Sequence, residues 1–200
     1  MRAWSRVDPA HFRRLDLRAH ELLTDVPLHD VWMVELPGGG LNRTLADARA
    51  FMSAENLMSL NPVVRALFQL RAWLGRVFRW DSSNRTPSAQ SFIHRLSDKD
   101  RKQSFVEPGS SDGPFTVIYV RPFEAVSEIR NATVHAFSVL AFEQCSGGYR
   151  LFWAIYVAPV SRLTALYMAL IDPFRRVLIY PAILRHVHQS WCAAHEEAAP

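Results

Sequence analysis

Two segments in the second half of the chain carry the pattern expected of paired β-strands. Residues 133–143 and 149–158 are rich in β-branched and aromatic side chains, which favour strands. The five residues between them, 144–148, include a serine and two glycines, as is typical of a hairpin turn. In a regular hairpin, one face carries His135, Phe137, Val139, Trp153, Ile155 and Val157, and the other carries Ala136, Ser138, Leu140, Phe152, Ala154 and Tyr156.

Similar patterns predict the remaining strands and helices of the first 130 residues. Residues 28–36 predict a strand with two covered faces, because Val31 and Met33 alternate with Trp32 and Val34. Further strands are predicted at residues 115–121 and 125–130, with a short one at 91–96. Helices are predicted at residues 9–20 after the Asp8 cap, at 45–57 after a Thr44–Asp47 capping box, and from Asn61-Pro62 onward.

A long helical region closes the chain. It is predicted to begin at Ser161, to restart at Asp172-Pro173 and to be kinked by Pro181. The apolar residues in its first half recur at helical spacing, so we expect three of them to be buried against the sheet. They are Leu166, Leu170 and Ile171.

The order of these elements predicts an α+β helix-grip fold, in which a curved antiparallel sheet surrounds a long C-terminal helix and leaves a cavity beside it. The predicted boundaries are an N-terminal extension at 1–24, the helix-grip domain at 25–193 and a C-terminal tail at 194–200.

Composition narrows the function classes. The chain has 200 residues, of which 49% are hydrophobic, and a net charge of +4, which favours a packed domain over disorder. Arginines are spread along the chain rather than clustered, so no nucleic-acid partner is predicted. Cys145 and Cys192 do not suffice for a disulfide framework. With no leader-like start and no long apolar stretch, we expect a cytoplasmic protein without a transmembrane segment.

Four segments resemble those of a bacterial domain family of unknown function. They are His29-Asp30-Val31-Trp32-Met33, residues 131–137, residues 149–157, and Leu166 to Arg176 followed by Tyr180-Pro181. The resemblance covers residues 25 to 191 and places the chain near the SRPBCC superfamily, which includes START lipid-transfer domains, birch-pollen-allergen-like proteins and polyketide cyclases. It implies the helix-grip fold. The family has no settled catalytic residues, so none are assigned to this chain from the resemblance. Some relatives carry the domain fused to an NAD(P)-binding domain of short-chain-dehydrogenase type.

Several motifs suggest chemistry only superficially. Gly38-Gly39-Gly40 lies between a strand and a helix, but it lacks the Gly-Lys-Ser/Thr of a phosphate-binding loop and is interpreted as a plain turn. His186 and His188 are two residues apart and diverge on a helix. Cys145 and Cys192 have no evident base beside them, so both are interpreted as inert. We therefore predict no metal and no cofactor.

Polar residues beside apolar strands are the candidates for ligand binding. Glu128, Asn131 and His135 approach a strand, where His135 is either an acid–base group or a buried structural histidine. The full candidate set is Tyr119, Glu128, Asn131, His135, Phe137, Trp153 and Ile155. On the last helix, Arg175 and Arg176 either bind an anionic group or pair with nearby acids at the surface.

The leading functional hypothesis is non-covalent binding of a small hydrophobic molecule between the sheet and the C-terminal helix. One alternative is a cyclase- or dehydratase-like enzyme that uses Glu128, His135 or Tyr119. Another is a protein-interaction domain that forms a homodimer or docks on an NAD(P)-binding partner. Convergent polar groups would favour chemistry, an apolar cavity would favour binding, and a large exposed apolar patch would favour interaction.

Overall fold

Seven strands form one antiparallel sheet in the part of the chain that the computed structural model describes, which is residues 3–52, 90–130, 134–160 and 162–195. The strands are β1 (Trp4–Arg6), β2 (Leu28–Pro37), β3 (Ser111–Asp112), β4 (Phe115–Val120), β5 (Glu124–Arg130), β6 (His135–Cys145) and β7 (Gly148–Ala158). Their order across the open, curved sheet is β1-β2-β7-β6-β5-β4-β3.

Helices cover both sides of this sheet. They are α1 (Pro9–Phe12), α2 (Arg18–Leu22), α3 (Leu45–Arg49), α4 (Asp98–Lys102), α5 (Arg162–Phe174) and α6 (Tyr180–His195), with 3₁₀ turns at Ala50–Met52 and Phe92–Arg95 and a π-helical segment at Arg175–Ile179. The last three helical segments in chain order, α5, the π-helical segment and α6, run on without a break and form the C-terminal helix.

The two faces of the sheet have separate apolar clusters. The helix face, defined by Val34, Leu140 and Leu151, packs against the C-terminal helix through side chains such as Leu184 and Trp191. The N-terminal face, defined by Val31, Phe137, Val139, Phe152 and Tyr156, packs against α1, α2 and the Phe92–Arg95 turn. An antiparallel sheet packed against a long C-terminal helix confirms the predicted α+β helix-grip class.

The hairpin of β6 and β7 is confirmed, but the predicted pairing of its faces is wrong. Phe137 lies opposite Tyr156 and Leu140 lies opposite Trp153. The strands reach Cys145 and Gly148 and leave a two-residue turn instead of a five-residue loop. This shifts the register by one residue, and a shift of one residue moves a whole row of side chains to the other face. Trp153, Ile155 and Val157 therefore lie on the helix face, away from Phe137 and Val139.

The other predicted strands are confirmed at residues 28–37, 115–120 and 124–130, whereas the strand predicted at 91–96 is wrong. Phe92–Arg95 is a 3₁₀ turn in which the Ser91 hydroxyl accepts a hydrogen bond from the Ile93 backbone N–H at 3.2 Å. Glu128 accepts the Ser91 hydroxyl and the Phe92 amide. These local bonds replace those of a strand.

The N-terminal helices are partly as predicted. Asp8 caps α1, but this helix ends at Phe12 and α2 begins only at Arg18. The Thr44–Asp47 capping box is confirmed. The helix predicted from Asn61 lies outside the described residues, as do residues 53–57 of the helix predicted at 45–57.

The N-terminal residues are integrated into the sheet. β1 pairs with β2 from Trp4↔Val34 to Arg6↔Trp32. Phe12, Ala19, Leu22 and Leu23 are buried on the N-terminal face. The boundary proposed at residue 24 stays a prediction, as does the tail at 194–200.

The C-terminal helix departs from its predicted cap positions. Ser161 and the side chains of Leu166 and Leu170 lie outside the described residues, while Ile171 packs partly buried against the helix-face cluster, as predicted. The predicted restart at Asp172-Pro173 is wrong, because α5 runs on to Phe174. The π-helical segment precedes Pro181, whose missing N–H cannot bond the carbonyl one turn back. No helix in the described ranges is long and apolar enough to span a bilayer.

Candidate functional site

The residues predicted to bind a ligand do not converge in the structure. Phe137 and Tyr119 belong to the N-terminal face, whereas Trp153 and Ile155 belong to the helix face. Glu128 and His135 are buried together beside Phe92 and Phe137 on the N-terminal side. Asn131 lies outside the described residues.

Glu128 and His135 form a buried, hydrogen-bonded pair. His135 Nε2 lies 2.9 Å from Glu128 Oε2, and Glu128 also accepts the Ser91 hydroxyl at 2.5 Å and the Phe92 amide at 3.1 Å. Burial alone would raise the pKa of Glu128, but the hydrogen bonds from His135, Ser91 and Phe92 outweigh it and lower that pKa. A carboxylate satisfied in this way ties the Phe92–Arg95 turn to the sheet.

The glycine turn packs against the C-terminal helix, and Cys192 lies beside a histidine on that helix. Gly39 has φ +84°, and a Cβ there would lie 2.6 Å from the Trp191 ring, so the turn closes against the C-terminal helix. One interpretation needs correction: Cys192 does have a base beside it. Its Sγ lies 3.7 Å from His188 Nε2, and His188 Nδ1 lies 2.7 Å from the Glu35 carbonyl oxygen.

An open depression of about 170 Å³ lies where the α1–α2 connection meets strand β6 and the residue before β5, and none of its lining residues belongs to the C-terminal helix. Its lining residues are Leu15, Asp16, Leu17, Phe123, Ala141, Phe142 and Glu143. The cavity predicted between the sheet and the helix stays a prediction.

Convergent polar groups occur elsewhere, where a β-bulge in β2 faces the C-terminal helix. The register of β2 against β7 steps from Leu28↔Tyr156 to Asp30↔Ile155, so His29 is the extra residue of the bulge. Strand alternation would send consecutive side chains to opposite faces. The bulge instead lets His29 reach the helix, where its Nε2 lies 2.7 Å from Asp172 Oδ2.

The helix contributes a polar cluster at its π-helical segment. Asp172 accepts a hydrogen bond from Arg175 at 3.0 Å and one from Arg176 at 3.2 Å. Arg175 also donates to the Tyr180 hydroxyl and lies over the Tyr180 ring. We call these four residues, with His29 and Asp30, the Asp30 site.

Asp30 is the exception within this site. Its side chain is 0% exposed, yet neither carboxylate oxygen has a hydrogen-bond partner in the described structure. Arg175 and Arg176 are near, with nitrogens 3.8 and 3.9 Å from Asp30 Oδ2, which gives charge attraction without hydrogen bonds. The neighbouring Asp172 receives the close guanidinium donors. His29 Nε2 lies 3.9 Å from Asp30 Oδ2 and the Tyr180 hydroxyl is also near, but no described donor meets Asp30 in hydrogen-bond geometry.

Aromatic rings border this acceptor on the helix face. The Tyr180 ring lies 5.2 Å from the Trp32 ring and 5.0 Å from the Trp153 ring. Trp153 donates its indole N–H to Ser138 at 2.9 Å, whereas the buried indole nitrogen of Trp32 has no partner. Burial raises the pKa of the Tyr180 hydroxyl well above its ordinary value, and although nearby Arg175 acts against this, Asp30 adds to it. Tyr180 is therefore a neutral donor or acceptor.

Three ligand atoms in the site have metal-like spacing. A ring nitrogen of His29 and one carboxylate oxygen each from Asp30 and Asp172 all lie within 4.8 Å of one another. Arg175 and Arg176 already neutralise these two carboxylates, so a divalent cation would meet two nearby positive charges.

Sequence reasoning missed the Asp30 site although it noted its parts. Asp30 is an acid inside an apolar strand, and Asp172, Arg175 and Arg176 interrupt an apolar helix. A buried charge needs an opposite charge or hydrogen bonds. An acid in an apolar strand together with two arginines in an apolar helix was therefore the available signal that the two elements meet. The contact between His29 and Asp172, 143 residues apart, depended on the bulge, which the alternation pattern does not reveal.

Comparison with known proteins yields a family and no activity. No curated protein and no solved structure matches the chain significantly. One family profile, described as a protein of unknown function (DUF2867), matches residues 22–182. That range contains the β-bulge, the π-helical segment and all six residues of the Asp30 site. The chain belongs to the DUF2867 family.

Proposed function

We propose that this domain binds a small, partly apolar molecule at the Asp30 site, between the helix face of the sheet and the C-terminal helix. The observation that carries the proposal is the Asp30 carboxylate, which is buried and open to a hydrogen-bond donor. A buried polar group without a partner costs about 1–3 kcal/mol, and more when it is charged. Such groups are expected where a ligand supplies the missing bond.

Two backbone irregularities at the same place support the proposal. The β-bulge at His29 and the π-helical segment at Arg175–Ile179 face each other across the Asp30 site. Bulges and π-helical turns are both frequent beside functional sites. A regular strand and a regular helix would pack more simply, so both irregularities fit a binding role.

In this proposal the apolar part of the ligand lies beside the rings of Trp32, Trp153 and Tyr180, which border Asp30. Of the sequence candidates, our proposal keeps Trp153 and Ile155, both on the helix face, and moves the polar role from His135 to Asp30. The architecture is compatible with the SRPBCC-like resemblance, although likeness of fold is weak support for function.

Native mass spectrometry of the purified protein, combined with tryptophan fluorescence, tests this proposal. We expect a co-purified or added small molecule to raise the midpoint of thermal unfolding and to change fluorescence. Trp32→Phe or Trp153→Phe should remove most of that change. Trp4→Phe, on strand β1 and away from Tyr180, is the matched control. An unchanged signal in both site variants would place the ligand elsewhere.

A second candidate function is proton transfer, favoured by the His29–Asp172 contact of 2.7 Å. A carboxylate that orients an imidazole is a common acid–base arrangement, and such groups contribute about 10²–10⁴-fold to rates. Deuterium incorporation into 2-tetralone in D₂O, followed by NMR, is the test. A rate of deuterium incorporation that stays unchanged in the His29→Asn and Asp172→Asn variants would exclude proton transfer by this pair.

A further inference from the structure

We propose, building on the binding function above, that the occupant of the Asp30 site is an uncharged molecule whose hydroxyl or amide donates a hydrogen bond to Asp30 and accepts one from the Trp32 indole N–H. This chemical class follows from the charges of the site and from the positions of the Asp30 carboxylate and the Trp32 indole N–H, neither of which has a hydrogen-bond partner in the described structure.

The charges of the site already cancel. Asp30 and Asp172 contribute two negative charges, and Arg175 and Arg176 contribute two positive charges within 4 Å of those carboxylates. These four charges sum to zero. A cationic ligand would approach the two guanidinium groups, and an anionic ligand would approach the open Asp30 carboxylate. Transfer of a net charge into a mostly buried site is costly, so a neutral ligand is favoured.

Two of the unpartnered groups, the Asp30 carboxylate and the Trp32 indole N–H, lie on one side of strand β2, and a third, the Arg176 Nε, lies 3.9 Å from Asp30 Oδ2. Asp30 and Trp32 are two residues apart on β2, where the pairing with β7 is regular from Asp30↔Ile155 to Trp32↔Trp153. Their Cα atoms are therefore about 7 Å apart and both side chains project toward the C-terminal helix. Asp30 accepts and Trp32 donates. A single hydroxyl satisfies both, since its O–H donates to the carboxylate and its oxygen accepts from the indole.

Access to the site is through its partly exposed members. The Arg176 side chain is 37% exposed and that of His29 is 24% exposed, whereas the Asp30 side chain is 0% exposed. In this proposal the polar end of the ligand enters past His29 and Arg176. Its apolar body then lies beside the packed pair of Trp32 and Tyr180 rings, whose centroids are 5.2 Å apart.

Four naphthalene probes of nearly equal size separate the chemical classes. They are 2-naphthol, 2-methoxynaphthalene, 2-naphthoate and 2-naphthylmethylammonium, titrated against the full chain by ligand-observed NMR. We expect 2-naphthol to bind best, with a Kd at least about tenfold lower than that of 2-methoxynaphthalene, because the ether cannot donate to Asp30. Both charged probes should bind more weakly than 2-naphthol.

Variants identify the groups responsible. Asp30→Asn should reduce the preference for hydroxyl over methoxy to about threefold or less, because an amide also offers a donor to the ether oxygen. Trp32→Phe should weaken 2-naphthol binding by about threefold to tenfold through loss of the N–H. Glu35→Gln makes the same carboxylate-to-amide change at an exposed position of β2 and should leave the preference unchanged. Circular dichroism verifies that each variant is folded.

The outcomes distinguish this inference from the function on which it rests. Equal binding of the ether and the alcohol, tightest binding of a charged probe, or Zn²⁺ binding that Asp30→Asn abolishes would each overturn the neutral-donor ligand and leave a binding site. A charged molecule found by native mass spectrometry would do the same. If no probe binds and nothing co-purifies, the proposed function itself fails.

Discussion

Two buried aspartates, Asp30 and Asp100, and the partly buried Asp172 meet very different surroundings in this protein. Asp172 accepts hydrogen bonds from His29, Arg175 and Arg176. Asp100 is held by Arg18, Arg121 and Ser97. Asp30 accepts none within the described structure. The energetic role of each carboxylate should therefore differ although all three are mostly hidden from water.

The first prediction compares two of them. Asp172→Asn should lower the free energy of unfolding by about 3 kcal/mol, because it breaks a mostly buried set of charged hydrogen bonds. Asp30→Asn should change that free energy by about 1 kcal/mol or less, since only longer-range attraction to Arg175 and Arg176 is lost. Urea unfolding measures both. Equal losses of unfolding free energy in the two variants would mean that Asp30 accepts hydrogen bonds as Asp172 does.

The second prediction concerns acid. Burial alone would raise the pKa of Asp100, but the hydrogen bonds from Arg18 and Ser97 outweigh it and bring the pKa to about 2, from an ordinary value of 3.8. Its stabilising contribution is therefore complete above about pH 4 and is lost as the pH falls toward 2. Asp100→Asn should be clearly less stable than the wild type at pH 7, and the difference should shrink between pH 4 and pH 2. A constant difference in urea midpoint would contradict this.

Among the elements, the β6–β7 hairpin has the most demanding local geometry. Gly148 has φ +153°, and a Cβ there would lie 2.3 Å from the Leu36 carbonyl oxygen. Gly147 has φ +86°, with nothing within 4 Å of a Cβ. The two-residue turn, which sets the observed register of β6 and β7, therefore requires glycine at position 148, because the backbone there lies directly against β2.

The third prediction uses this pair of glycines. Gly147→Ala should cost about 1–2 kcal/mol, the strain of a left-handed residue. Gly148→Ala should cost about 3 kcal/mol or more, because backbone overlap adds to strain. Denaturant midpoints of the two variants test the difference. If Gly148→Ala is no worse than Gly147→Ala, the close approach of the hairpin to β2 is incorrect.

At the scale of the whole molecule, the N-terminal residues complete one of two cores. Phe12, Ala19, Leu22 and Leu23 cover the N-terminal face of the sheet, while the C-terminal helix covers the other face. A sheet covered on one side only would expose the row that includes Val31, Phe137 and Val139.

The fourth prediction removes residues 1–24. We expect the remaining chain to be largely insoluble or to lose its cooperative unfolding transition, because the apolar N-terminal face becomes exposed. Expression, size-exclusion chromatography and thermal denaturation measure the result. If the remaining chain, residues 25–200, is soluble and keeps an unchanged unfolding midpoint, the sequence-based boundary at residue 24 is correct instead.

The sequence by itself determined the local structure that depends on neighbours along the chain. The strand at residues 28–37, the hairpin of β6 and β7, the Asp8 cap and the Thr44–Asp47 capping box all follow from side-chain period and short-range hydrogen bonding. The order of these elements was also enough for the α+β helix-grip class.

Only the tertiary structure decided which residues meet. The one-residue difference in hairpin register moved Trp153 away from Phe137, and the bulge at His29 brought Asp30 and Asp172 together. Side-chain alternation reports that a strand has two faces and does not report where an extra residue interrupts it. The site depends on those two interruptions of periodicity, so only the paired strands and the docked helix reveal it.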